Sequence, residues 1–326
     1  MINIFMLSNY LILTPHGVGS TYLQRALTVY LNSAELDYWN THELLNGLSL
    51  LEGNLYNEEL EYSQRYSQTI PEICELLESA SNGLVSRVAQ YHINIRLRNK
   101  QENYQQLYDV CNKKFDKILY CTRDPFEYAL SWSIRKNTNT LNVHSVADRI
   151  KVHGTHIKQT LDLEYFNEKL KEYSRYEYWA QDNFNITRAV NYDDTHRNVD
   201  SMMKELTGLD FNVESRFDIS LQDYSTLRYL ISMYMQTKDK KYLVNKNKAP
   251  SALQLKKFIQ SMVPDKLPSD IPVKMNTMQD KQKRVVNFDD AVKVYNKWTT
   301  TTNRYMPISQ EDITQRISTE SKIYVA

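Results

Sequence analysis

Glycine is scarce in this sequence, 7 among 326 residues, where an average protein carries about 7%. A chain with so little glycine can afford positive-φ backbone at few places, so two glycines in one short loop, Gly17 and Gly19, are informative. Cysteine is nearly as sparse. Cys74, Cys111 and Cys121 stand far apart with no CxxC or Cys/His spacing, which excludes a disulfide scaffold, points away from any metal site and suits a reducing compartment. Long apolar runs are missing too. The stretch from Ile2 to Leu13 is interrupted by Ser8 and Asn9, falls short of the ~20 residues that a membrane helix needs, and lacks the basic flank of a leader. A soluble, cytoplasmic protein with no membrane partner is expected. Charge of one sign is also lacking: 40 basic residues against 39 acidic leave a net +1. No global field recruits nucleic acid, so any anion site has to be built locally.

What is present reads as strands alternating with helices. Tyr10 to Thr14 (YLILT) is an apolar run of strand length; after the glycine loop, Leu23, Leu27, Tyr30 and Leu31 mark one face of a helix. Leu84 to Ala89 (LVSRVA) and Lys117 to Thr122 (KILYCT) are further short strands, separated by polar helical segments around 57–80 and 100–114. A helix over about 161–183, a strand over 185–191 and a helix ending at Gly208 complete the pattern. Such alternation implies an α/β fold, a parallel sheet with helices on both faces, over residues 1–215. Beyond it the pattern changes: five of the eight prolines lie at 250 or later, and residues 238–248 are Lys-rich. Residues 216–326 are read as a C-terminal extension, with a linker near 238–272 and a helix around Asp289 to Trp298.

The loop Pro-His-Gly-Val-Gly-Ser-Thr, residues 15–21, runs from a strand into a helix. Gly17, Val18 and Gly19 allow a tight turn and close backbone approach, the helix start offers N–H groups and a positive dipole end, and Ser20 and Thr21 add hydroxyls. That is a phosphate cradle. A nucleoside-triphosphatase loop would carry Lys immediately before the Ser/Thr, and Gly19 stands there instead, which disfavours a Mg-ATP kinase.

A second anion site is readable in KILYCTRDPFEYALSWSIRK, residues 117–136. The strand ends at Thr122, Arg123 follows, and Asp124, Pro125 and Glu127 occupy the N-cap, N1 and N3 positions of a helix. Arg123, with a fork of charged donors, and Ser131, with a hydroxyl, can grip a monoester phosphate. The bland alternative is an Arg123 that pairs with Asp124 or a neighbour on the surface.

The order of these motifs resembles the sulfotransferases that use 3′-phosphoadenosine-5′-phosphosulfate (PAPS), whose first loop holds the 5′-phosphosulfate and whose Arg and Ser hold the 3′-phosphate. The segment Tyr178-Trp179, the strand within Phe184 to Asp194 and the helix closing at Gly208 are similar to the family as well. The resemblance spans residues 8–212 and implies a P-loop-like sheet, PAPS as donor, 3′-phosphoadenosine-5′-phosphate (PAP) as product, no metal, and a carbohydrate or small-molecule acceptor. The first motif also loosely resembles phage-encoded sulfotransferase-like proteins.

One departure stands out. Many members carry Lys or Arg in the first loop, where the nearest basic candidate here is His16. For the proton acceptor, Glu43 at the end of a second strand is the first choice, in the place where some members carry a catalytic Glu. His92, after the LVSRVA strand, is the second, in the region where cytosolic members carry Lys-Thr-His. Loss of the loop cation also leaves open a protein that keeps the fold and binds without transferring.

Overall fold

The computed structural model describes residues 7–15, 17–18, 20–33, 38–46, 69–80, 82–89, 93, 104–138, 158–191, 199–209 and 278–324. Two compact units emerge, each assembled from two stretches of chain: residues 1–122 with 178–267, and residues 123–177 with 268–326. This division runs along other lines than the sequence-based boundary at 215.

The first unit is built on five parallel strands: β1 (Tyr10–Thr14), β2 (Trp39–Glu43), β3 (Leu84–Ala89), β4 (Lys117–Thr122) and β5 (Arg188–Asn191), in the order β2-β3-β1-β4-β5. The fold is α/β, as the alternation of strands and helices implies. Every residue of β1 and of β3 is buried, which is how strands read when both faces of a parallel sheet are covered. The helices are α1 (Ser20–Ser33), α2 (Ile70–Ser79), α3 (Tyr104–Lys114) and, after β5, α6 (Val199–Thr207). From β1 the chain moves toward one edge of the sheet, whereas from β3 and β4 it moves toward the other. Right-handed crossovers then put α1 on one face and α3 on the opposite one. The packing agrees: α1 meets α6, and α2 meets α3. Because the paths out of β1 and β4 diverge, the strand order reverses between these two neighbours, the usual ligand position in an open α/β sheet.

Register at the opposite end depends on one buried side chain. Asn9 Oδ1 accepts from the N–H groups of Gly83 and Leu84 at 2.9 and 3.0 Å, while its Nδ2 donates to the Lys114 carbonyl at 2.9 Å. One amide thereby aligns the starts of β1, β3 and β4. Losing a buried amide with several partners costs more than an average hydrogen bond, since each stranded group keeps its desolvation penalty.

The second unit packs helix α4 (Pro125–Thr138) and the first part of α5 (Leu163–Asn183) against three C-terminal helices, α7 (Met278–Arg284), α8 (Phe288–Thr302) and α9 (Gln310–Tyr324). Phe126 is its centre, fully buried, with ring centroids of Phe166, Phe288 and Tyr295 within 5.7 Å in edge-on geometry. Asn287, just before α8, clamps the backbone of Leu161 in both directions: its Oδ1 accepts from Leu161 N–H at 2.8 Å and its Nδ2 donates to Leu161 C=O at 3.0 Å. Residues 278–324 therefore share a core with α4. The proposed linker over 238–272 lies outside the described residues.

Candidate functional site

In the first unit, the chain leaves β1 through Pro15 and turns at Gly17, whose φ of 90° is a conformation that a side chain would strain. Val18 is buried and anchors the turn; Ser20 is buried as the first residue of α1. Thr21 follows it in the helix, with its side chain outside the described part of the structure, and His16 and Gly19 lie outside the described residues. The strand, glycine turn and helix start thus assemble as the sequence implies.

The sequence reading gave no role to Arg87. It stands in the middle of β3, is 6% exposed, and donates from its guanidinium to Ser20 Oγ over a long 3.4 Å. Its register partners are Ile12 on β1 and Glu43 on β2. A cation in an otherwise apolar strand was the available signal, since a buried charge is costly unless something anionic or strongly polar compensates it. Burial pushes the thiol of Cys121 on β4 up to about 12, against an opposing pull from the Arg87 charge. Glu43 ends β2 beside this arginine in the backbone register, while its side chain is outside the described part; His92 lies outside the described residues altogether.

In the second unit, Arg123 precedes α4 and is held at backbone and side chain. The Tyr173 hydroxyl accepts from the Arg123 N–H at 3.0 Å and donates to its C=O at 2.7 Å. Burial holds that phenol well above its ordinary pKa, so it stays protonated and able to do both. The guanidinium reaches Glu127 Oε2 at 3.4 Å. Asp124 caps the helix as expected, its Oδ1 accepting from Glu127 N–H at 3.0 Å. Four residues on from Glu127, on the same helix face, lies Ser131.

Ser131 and Ser133 share this helix and are both buried, yet they differ. Ser133 Oγ donates back to the Ala129 carbonyl at 2.9 Å, the ordinary resting place of a helical serine. Ser131 Oγ has no hydrogen-bond partner among the described residues. Buried hydroxyls are rarely left so, and each instance calls for an explanation.

The predicted residues thus fall into two sets: Gly17, Val18, Ser20, Thr21 and Glu43 belong to the first unit with Arg87, and Arg123 and Ser131 belong to the second. No protein-family model matches the chain, and no curated protein matches it either.

Proposed function

We propose that the chain is a PAPS-dependent sulfotransferase that moves a sulfuryl group to a hydroxyl or amine of a carbohydrate or small-molecule acceptor. The observation that carries this reading is the Ser131 hydroxyl, buried without a hydrogen-bond partner among the described residues, one turn beyond the carboxylate that holds Arg123. Within the second unit a phosphate monoester would satisfy it, with Arg123 contributing charge and Ser131 a donor. Taken by itself, the first unit offers the turn at Gly17 and the head of α1, which suit a phosphate or phosphosulfate whose charge would be met by backbone N–H groups and Ser20.

In this mechanism the acceptor oxygen or nitrogen attacks sulfur, the bond from sulfur to the bridging phosphate oxygen breaks, and PAP departs with the electron pair. Negative charge grows on that bridging oxygen, so a nearby cation stabilises the transition state. Arg87, at Ser20, supplies the cation that the loop itself lacks. Glu43 takes the acceptor proton.

Calorimetry with PAP, AMP and ATP tests the donor assignment. PAP is expected to bind most tightly; equal affinity for PAP and AMP overturns it. A loop without Lys or Arg favours a second reading, a protein that binds the nucleotide without transferring. Tight PAP binding with no turnover across a broad acceptor screen would establish that second reading.

A further inference from the structure

The contact of Ser20 with Arg87 is one of two that tie the head of α1 to β3. One turn further along α1 stands Gln24, fully buried, whose Nε2 donates to the Val85 carbonyl at 3.0 Å. Val85 lies two residues before Arg87 on β3, and the two therefore share one face of the sheet. Ser20 and Gln24 likewise share one face of their helix. The helix advances from Ser20 to Gln24 while the strand steps back from Arg87 to Val85. These steps match, since four helical residues rise about 6 Å and two strand residues about 6.6 Å. All four residues belong to the first unit.

The strand beside these contacts is irregular. Asn40 pairs with Val85 and Glu43 with Arg87, so β2 takes three steps where β3 takes two, a bulge of one extra residue. In an unbroken ladder His42 would stand opposite Arg87; the bulge brings Glu43 to that register position. A buried amide is costly unless bonded, and this one is bonded where it fixes the height of α1 above β3. We propose that Gln24 is a positioning residue for the candidate anion site of the first unit: its tie to the Val85 carbonyl sets the spacing between Ser20 and Arg87, and so how well the two meet one phosphate or phosphosulfate. Arg87 acts as a fixed charge at Ser20, and its further contacts leave this unchanged. This deepens the sulfotransferase reading and rests on its assignment of the turn at Gly17 to such a group.

AMP is the probe, because its one phosphate is the group this turn would take. Gln24→Met keeps the bulk of the side chain, removes the amide, and should weaken AMP in calorimetry by about five- to tenfold, the scale of one hydrogen bond. The double variant decides. With Arg87→Met in place the anion meets only the head of α1, the spacing to β3 no longer matters, and adding Gln24→Met should leave AMP affinity at the Arg87→Met value. Stability should behave differently: the Val85 carbonyl loses the amide in both backgrounds, so Gln24→Met should lower the melting temperature equally in each, which separates positioning from general loosening. Should either Met variant fail to fold, Gln24→Asn, one methylene too short to reach the carbonyl, and Arg87→Gln, polar without the charge, make the same test. A wild-type protein that binds AMP, joined to a Gln24→Met variant of equal affinity or to losses that add in the double variant, overturns this inference alone. A wild-type protein that binds neither AMP nor PAP overturns the assignment of the turn, and this inference falls with it.

Discussion

Around Gly17 to Ser20 the described residues carry no charge of their own, and one buried cation, Arg87, arrives from a neighbouring strand. Around Arg123 the arrangement is reversed: three cations and two acids crowd the first turn of one helix, drawn from segments more than 150 residues apart. Under the proposed reading the loop would meet an anion by backbone shape and the arginine turn by charge.

The largest effect expected is on turnover. On the proposed mechanism, Glu43→Gln should reduce sulfuryl transfer by about 10²–10⁴-fold with PAP affinity unchanged, because the substitution would remove the proton acceptor alone. His92→Ala is the comparator in the same steady-state assay; a dead His92 variant beside an active Glu43 variant would move the base assignment to His92. Next come the two arginines. Arg123→Met should weaken PAP by about 1.5–3 kcal/mol and leave AMP untouched, whereas Arg87→Met should weaken PAP and AMP alike, since both carry a 5′-phosphate. If the two variants give the same pattern in calorimetry, the division of labour between the regions is wrong. Gly17→Ala comes third. A φ of 90° should cost an alanine about 1–2 kcal/mol of thermal stability, with weaker binding of both nucleotides, while a substitution at Gly208, the helix-closing glycine, should lower stability without touching binding.

The smallest effect is a slope with pH. Burial pushes Cys74 up to about 11 and both Tyr10 and Cys121 up to about 12, so these groups stay protonated in the native state at pH values where the unfolded chain has begun to lose its protons. Their contribution is complete below the ordinary thiol range near pH 9 and is lost as pH rises toward 11–12. Denaturant melts from pH 8 to 11 should show the midpoint falling, and thiol alkylation of the native protein at pH 8 should be slow. A flat midpoint would mean that these groups titrate freely.

Most of the sheet was readable because its signals are local. YLILT, LVSRVA and KILYCT coincide with β1, β3 and β4, since buried strands of a parallel sheet show as unbroken apolar runs whatever surrounds them. The start of α4 was readable for the same reason: Asp124, Pro125 and Glu127 interact within one turn. Arg87 escaped because its meaning lies across the sheet, in Ser20 and in the register with Glu43. Helices α7 and α9 were not anticipated, since α7 is short and its sequence MQDKQKR carries one apolar residue, Met278, among six polar ones. The tail was expected to be an extension; in the second unit it supplies much of the core around Phe126.

The pairing of Glu127 with Lys281 spans 154 residues of chain, and a ribosome working at about 5–20 residues per second needs on the order of ten to thirty seconds to cover that distance. Throughout that interval α4 lacks its C-terminal partners, and Phe126 has Phe166 but neither Phe288 nor Tyr295 to pack against. The nascent protein therefore presents a sticky helix flanked by uncompensated charge, the kind of surface that chaperones bind and that misassembles at high expression. Slowing initiation or lowering the growth temperature should raise the yield of folded protein more than any stabilising substitution within the sheet, because the vulnerable step is the wait for α7 and α8 to emerge.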